Sequence, residues 1–108
     1  MLVDDKEMCK RVCRYKGAVV NIGIIGCGNI ASSLHECMQG VKVIAVFDRH
    51  IDRAESVAQK LGAEATDCFE SFLEYDLDMV IEVASVEAVF KYAPAVLAKG
   101  CELMVLSS

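Results

Sequence analysis

A short motif, GCGNIA at residues 26–31, follows an apolar run and opens an amphipathic stretch. Gly26 permits a tight turn, Gly28 has no Cβ to keep a diphosphate from the main chain, and Ala31 is small enough for a helix to pack closely on a strand. A helix that begins in this motif presents unpaired N–H groups and a partial positive charge. The residue types therefore predict main-chain binding of a diphosphate.

A dinucleotide site also needs a carboxylate for the ribose, and the sequence has one at the expected spacing. Asp48 closes the next apolar run, 22 positions after Gly26, and can accept hydrogen bonds from the ribose hydroxyls of an adenosine. Together the two features predict a dinucleotide, and the carboxylate favours NAD because it repels the 2′-phosphate of NADP. Arg49 follows directly and can neutralise a 2′-phosphate or stack on adenine, so NADP remains an alternative.

The glycine motif could instead be a purely structural turn between strand and helix, or the glycine loop of a methyltransferase. A methyltransferase loop usually carries an acidic residue within or just before its glycines, whereas Ile24 and Ile25 stand there in this chain. The preceding strand, the following helix and the spacing to Asp48 all agree with the dinucleotide interpretation.

Apolar runs and amphipathic stretches alternate along the chain. Strands are predicted at residues 19–25, 41–47, 63–66, 77–83 and 101–106, and helices at residues 29–39, 51–61, 68–74 and from residue 86 onward. This alternation predicts an α/β fold of the Rossmann type, with a parallel sheet of order 3-2-1-4-5 and helices on both faces.

Several residues predict where the helices begin and end. Asp67 is expected to cap the helix at residues 68–74, and Ser85 the helix that follows it. Gly100 is expected to end the last helix, as Gly62 ends the helix at residues 51–61. Pro94 lies inside a helical pattern, and its missing N–H and ring clash predict a break into two short helices.

The predicted strand order puts a ligand crevice at the carboxyl ends of the first and fourth strands. The glycine turn, the turn at residues 84–85 and the end of the chain at residues 107–108 are expected to meet there. Glu82 lies in an apolar strand near this edge, so it is either paired or close to the site, and we assign it no catalytic role. Ser85 is expected to cap a helix, to face the nicotinamide side, or to do both.

Length and composition narrow the class of protein. The 108 residues are 55% hydrophobic, which suits one domain with one core, and no apolar run is long enough to cross a membrane. Charges begin too early for a secretory signal, and the six cysteines form no CxxC or zinc spacing, so we expect reduced thiols, a cytoplasmic location and no metal. Residues 1–18 predict a basic leader helix, whereas residues 19–108 carry a net charge of −7, which argues against nucleic acid.

From residue 19 onward the chain resembles the cofactor-binding domain of L-aspartate dehydrogenases, within the homoserine-dehydrogenase-like group. The resemblance is carried by NIGIIGCGNIASSL, by VIAVFDRHIDRAESVA and by LDMVIEVASVEAVFKYAPAVLAKGCELMVLSS, whose EVAS turn, YAP break and closing VLS come in the family's order. It implies oxidation of L-aspartate to iminoaspartate, reduction of NAD or NADP, and a link to NAD biosynthesis. With the neighbours in the motifs, the cofactor contacts expected are Gly26, Cys27, Gly28, Asn29, Ile30, Asp48, Arg49, Ala84, Ser85 and Ser107.

The resemblance also marks what this stretch of sequence lacks. The family's catalytic histidine lies in a later substrate domain, and no position here matches it, so we predict no catalytic residue and little activity for the chain alone. An amino-acid substrate would be reached only through that second domain. A homoserine dehydrogenase-like cofactor domain, a non-catalytic dinucleotide-sensing module and a relic that binds nothing are the alternatives. Exposed sheet edges make a homo-oligomer plausible.

Overall fold

The computed structural model describes residues 20–26 and 41–106. Within them, the strands are β1 (Val20–Ile25), β2 (Val41–Phe47), β3 (Glu64–Thr66), β4 (Met79–Glu82) and β5 (Glu102–Val105). The helices are α1 (Ile51–Leu61), α2 (Phe69–Glu74) and α3 (Val86–Ala98). The leader helix predicted at residues 1–18 and the helix predicted at residues 29–39 lie outside the described residues.

The five strands form one parallel sheet of order β3-β2-β1-β4-β5, which confirms the predicted order. Ile25, the last residue of β1, pairs with Phe47 of β2 on one side and with Glu82 of β4 on the other. Glu82 in turn pairs with Val105 of β5. Phe47 also pairs with Thr66, the last residue of β3, so the carboxyl ends of all five strands lie level at one edge of the sheet.

Helices cover both faces of this sheet, as predicted. One face packs on α1 through a buried set that includes Ile22, Ile24, Met79, Ala54 and Ala58. The other face packs on α2 and α3 through Ala45, Phe47, Val80, Phe72 and Val96. Because apolar residues occupy both faces of the central strands, the sheet becomes the middle layer of the domain.

The face of the sheet that packs on α2 is closely packed at Gly23 of β1. A Cβ built on Gly23 would lie 2.6 Å from Cζ of Phe72 and 2.7 Å from Cδ1 of Leu77. The missing side chain therefore provides the space in β1 into which the fully buried Phe72 ring fits.

The predicted ends of the helices are mostly confirmed. Gly62 follows α1 in the left-handed region at φ +68°, and the Ser85 hydroxyl caps α3 by accepting a hydrogen bond from the Ala88 N–H at 3.1 Å. Gly100, at φ +90°, donates to the Leu97 carbonyl while Cys101 donates to the Val96 carbonyl, which is the Schellman pattern. The carbonyls at the end of α3 are thereby satisfied.

The prediction that Asp67 caps α2 is wrong. The residue that precedes α2 is Cys68, and its side chain makes no capping hydrogen bond. Instead, the Thr66 hydroxyl accepts from the Cys68 N–H at 3.1 Å. Because Thr66 ends β3, its hydroxyl is already fixed beside this N–H and forms the local turn in place of an Asp67 cap.

The predicted break at Pro94 is also wrong, since α3 continues through the proline as one helix of 13 residues. Tyr92 and Val96 flank the proline one helical turn apart and are both buried against the sheet, so packing holds the two turns in line. The carbonyl that loses its partner belongs to Phe90, whose side chain is 80% exposed, and water can satisfy it on that side.

Three predicted strands are shorter than expected, because their flanking residues bond without regular pairing. The strand predicted at residues 77–83 is reduced to β4, although the Asp78 N–H still donates to the Asn21 carbonyl and the Val83 N–H to the Ile25 carbonyl.

None of the helices in the described part of the chain combines the length and apolar character needed to span a bilayer.

Candidate functional site

A cleft of about 720 Å³ opens at the edge where the carboxyl ends of the strands lie level. The end of β1, the segment from β2 into α1, and the segment from β4 into α3 each contribute to its wall. The cleft therefore lies at the switch point between β1 and β4, the place where open parallel sheets bind ligands.

The turn after β1 begins with Gly26, which has φ +98° and donates its N–H to the Phe47 carbonyl at 2.8 Å. A Cβ added to Gly26 would lie 2.7 Å from Cβ of Ala84 and 2.8 Å from its Cα and N. The turn after β1 thus touches the turn after β4 with no room for a side chain, which explains why this position needs glycine.

Asp48 lies directly beyond β2, with a side chain that is 13% exposed. Its Oδ1 accepts from the His50 N–H at 2.8 Å and lies 3.4 Å from Nδ1 of the His50 ring. His50, and not Asp48, occupies the N-cap position of α1, and its side chain makes no capping hydrogen bond. The local turn therefore fixes the Asp48 carboxylate at the wall of the cleft, outside the helix.

Basic side chains stand beside this carboxylate. Arg49 follows it on the exposed surface, and Arg53 and Lys60 of α1 line the same cleft. Arg53 and Lys60 were not predicted from the sequence, although they lie seven positions apart in α1 and therefore on one face of that helix. Lys91 of α3 adds a fourth cation to the lining, which also contains the carboxylates of Asp48 and Glu87. Cations therefore outnumber carboxylates four to two in the described wall, which favours a ligand with negative charge.

The turn between β4 and α3, residues 83–85, forms the opposite wall. Oε2 of Glu82 accepts from the Ala84 N–H at 2.6 Å and from the Ser85 N–H at 2.8 Å. Glu82 is only 1% exposed. It is therefore both paired and next to the cleft, the two possibilities that its place in an apolar strand left open.

Aromatic side chains provide the apolar part of the lining. Phe47 and Tyr92 both border the cleft, and their rings meet edge to face with centroids 5.2 Å apart. The ammonium of Lys91 lies 5.4 Å from the centre of the Tyr92 ring. A flat ring system that entered here would meet apolar surface beside positive charge.

The structure brings together half of the ten residues that the sequence predicts as cofactor contacts. Gly26, Asp48, Arg49, Ala84 and Ser85 all line the cleft. The others lie outside the described residues, and they are Cys27, Gly28, Asn29, Ile30 and Ser107. The contact of any of them with a cofactor remains a prediction.

The Cys101 thiol, which has a shifted pKa, lies away from the cleft. Burial raises the pKa of the Cys101 thiol, Lys99 lowers it in part, and Asp78 and Asp76 raise it further. Its Sγ lies 3.3 Å from the Leu77 carbonyl, beyond the amino ends of β4 and β5.

Within the described residues, no group of three His, Cys, Asp or Glu side chains is placed to hold a metal ion.

Comparison with known proteins finds chains of similar sequence. The profile of the family described as homoserine dehydrogenase, NAD binding domain, matches residues 26–108. The chain is 42% identical over 89 residues to an L-aspartate dehydrogenase of Methanospirillum hungatei, and 30% identical over 94 residues to that of Methanocaldococcus jannaschii. Each alignment covers 82% of this chain and 35% of the relative, so the chain spans about a third of the length of these relatives.

Solved structures give the same fold at lower identity. GenD2 from gentamicin A biosynthesis, in complex with NAD, superposes with a TM-score of 0.74 at 22% identity over 82% of this chain and 26% of that one. A 3-ketoreductase from Actinomadura kijaniata, in complex with TDP-benzene and NADP, gives 0.70 at 24% identity over 80% of this chain and 29% of that one.

Proposed function

The chain belongs to the family of homoserine dehydrogenase NAD-binding domains, and from that premise we propose that it is the cofactor-binding part of an L-aspartate dehydrogenase. The reaction would be the oxidation of L-aspartate to iminoaspartate, with the hydride passing to NAD or NADP. The observation that carries the proposal is the meeting of the Gly26 turn, the Asp48 carboxylate and the turn at residues 83–85 around one cleft, in a chain with such relatives.

The geometry suits a dinucleotide laid across the ends of the strands. The turn after β1 would bind the diphosphate. A side chain at Gly26 is sterically excluded, and the helix predicted at residues 29–39 would begin close to this turn. Asp48, at the end of β2, would accept from the hydroxyls of the adenosine ribose. The nicotinamide half would then extend from β1 toward the ends of β4 and β5.

The bound dinucleotide supplies the hydride acceptor for the reaction. The chain's own residues would bind and orient it, and Phe47 and Tyr92 would provide apolar surface on one side of the cleft. We assign no proton-transfer role to any residue of the chain, and we propose that the substrate and the catalytic acid or base belong to a second domain.

Two opposing features bear on the choice between the two cofactors. The Asp48 carboxylate favours the free 2′-hydroxyl of NAD, whereas Arg49 and Arg53 border the same cleft and would attract the 2′-phosphate of NADP. We propose that NAD is preferred and that NADP is accepted, because the carboxylate is fixed by its turn while Arg49 is exposed.

Further parts of the proposal concern the setting of the domain. Residues 19–108 would form the dinucleotide-binding domain and residues 1–18 a separate leader, in a cytoplasmic enzyme linked to NAD biosynthesis. The free thiols of Cys68 and Cys101 support a reducing compartment. Val86, Phe90 and Leu97 expose apolar surface on α3, which supports association with another copy or domain. The acidic charge of residues 19–108 argues against a nucleic-acid partner.

The proposal is tested in two steps. Titration of the protein with NADH, followed by nicotinamide fluorescence, is expected to show saturable binding that Gly28→Val abolishes, because a branched side chain would occupy the diphosphate position. The full-length gene product is then assayed with L-aspartate and, since the matched family carries its name, with homoserine. Absence of NADH binding at millimolar concentration would overturn the cofactor proposal, and turnover of homoserine alone would overturn the choice of substrate.

A further inference from the structure

Glu82 is a charged side chain in an apolar setting. Among the described residues it is the only charged or polar one in the fully buried set, and it ends a strand whose other members are Met79, Val80 and Ile81. Burying a carboxylate is unfavourable unless hydrogen bonds replace its hydration. Its partners therefore indicate what the residue does.

The partners that Glu82 contacts in the turn are main-chain N–H groups. Oε2 accepts from Ala84 at 2.6 Å and from Ser85 at 2.8 Å. Hydrogen bonds of this kind, from an N–H to a carboxylate, are shorter and stronger than those between neutral groups. Ser85 is also the N-cap of α3, so Glu82 fixes the entry of the chain into this helix.

The main chain of Glu82 is itself held on both sides. Its carbonyl accepts from the Leu106 N–H at 2.9 Å, and the next N–H, of Val83, donates to the Ile25 carbonyl at 2.9 Å. The backbone that carries the carboxylate is therefore held by hydrogen bonds on the β1 side and on the β5 side. These bonds fix the position from which the turn starts.

The turn that Glu82 fixes is in contact with the turn after β1. A Cβ added to Gly26 would lie 2.8 Å from the backbone N and Cα of Ala84, and both residues line the cleft. Because the N–H groups of Ala84 and Ser85 point to Glu82, they are not offered to a phosphate. The start of α3 therefore has two fewer N–H groups with which to bind an anionic group in the cleft.

We propose that Glu82 is a positioning residue that, through the turn at residues 83–85, sets how tightly the nicotinamide half of the dinucleotide is held. The inference rests on the proposed function, in which the adenosine lies toward β2 and the nicotinamide toward β4. Glu82 holds the N–H groups of Ala84 and Ser85 in this turn, so its loss is expected to affect the nicotinamide half of the dinucleotide more than the adenosine half.

The test compares two ligands and three variants by calorimetric titration. NADH contains both halves of the dinucleotide, whereas ADP-ribose lacks the nicotinamide. Glu82→Gln keeps the shape of the side chain and removes its charge, and Glu82→Ala removes both hydrogen bonds to the turn. Glu55→Gln, an exposed carboxylate of α1 that does not line the cleft, is the matched control.

We expect Glu82→Gln to weaken NADH about fivefold and ADP-ribose by less than about twofold, the change expected when a charged acceptor becomes neutral. Glu55→Gln should change neither. Hydrogen exchange of the Ala84 and Ser85 amides should become faster in Glu82→Gln, with no change at Val80. Equal weakening of both ligands, or unchanged exchange at the turn, would overturn the positioning role.

The outcome also separates this inference from the function on which it rests. If the unaltered protein binds NADH and Glu82→Gln binds it equally well, the role of Glu82 is refuted while the cofactor site remains. If the unaltered protein binds neither ligand, the proposed function fails and the inference fails with it.

Discussion

Replacing Gly26 by alanine perturbs the junction of the two turns that form the cleft. Gly26 has φ +98°, a region in which a side chain costs about 1–2 kcal/mol. The added Cβ would also lie 2.7–2.8 Å from three atoms of Ala84, two of which are main chain. Ala84 cannot move aside freely because its N–H is bonded to Glu82, so the overlap adds about 1–3 kcal/mol. The expected loss of stability is therefore about 2–5 kcal/mol.

Gly100→Ala is the matched control for this prediction. Gly100 has φ +90°, close to that of Gly26, but a Cβ there would meet no heavy atom within 4 Å. Only the backbone cost of about 1–2 kcal/mol should remain. The difference between the two variants therefore isolates the contact between Gly26 and Ala84.

The assay is urea unfolding followed by circular dichroism, with the free energy of unfolding obtained by linear extrapolation. Gly26→Ala should lose at least about 1 kcal/mol more than Gly100→Ala. Titration with NADH should show weaker binding only for Gly26→Ala, because only that glycine borders the cleft. Equal losses of stability in the two variants would refute the close approach of the turns.

Three other predictions concern the cofactor, the last helix and a buried thiol. Asp48→Asn should weaken NADH about tenfold and NADPH less, because it removes the charged ribose acceptor; equal losses in fluorescence titrations would count against that role. Pro94→Ala should raise the free energy of unfolding by about 1–3 kcal/mol through helix propensity and the restored hydrogen bond to Phe90, and an unchanged urea midpoint would contradict this. Burial raises the pKa of the Cys101 thiol in the folded state, so its stabilisation is complete below the ordinary thiol pKa of about 8.5 and is lost as the pH rises above it. Unfolding measured across this range should show a decline that Cys101→Ala reduces, and an equal decline in the variant would disprove the assignment.

Much of the fold follows from local sequence patterns. β2 and α1 have the predicted bounds, because apolar runs and glycines mark their ends. The strand order follows from the alternation of strands and helices, which requires parallel strands and right-handed crossovers. The N-cap at Ser85 and the glycines after α1 and α3 follow from the chemistry of helix ends.

One error arose where tertiary contacts outweigh local preference, and the other where two local hydrogen bonds compete. The helix continues through Pro94 because Tyr92 and Val96 pack on the sheet on either side of it. Thr66 takes the hydrogen bond expected of Asp67 because the end of β3 places its hydroxyl there. The first effect depends on the neighbouring sheet, whereas the second is a local turn that competes with the expected cap.

The position of the cleft could be predicted from the sequence, but its supporting contacts could not. The motif and its spacing to Asp48 located the cleft, and the order of the strands brought the turn at residues 83–85 to it. The sequence could not show that Glu82 bonds two N–H groups of that turn, because the bonds depend on how the strand ends. Arg53 and Lys60 were also not predicted, since basic residues on a helix usually face solvent.

The most direct test of the account is a structure of the protein crystallised with NAD. It should show the diphosphate at the turn after β1, against the main chain of residues 26–30, and the adenosine ribose within hydrogen-bond distance of the Asp48 carboxylate. A cleft closed by side chains, or a cofactor bound with its diphosphate at the start of α3, would contradict it.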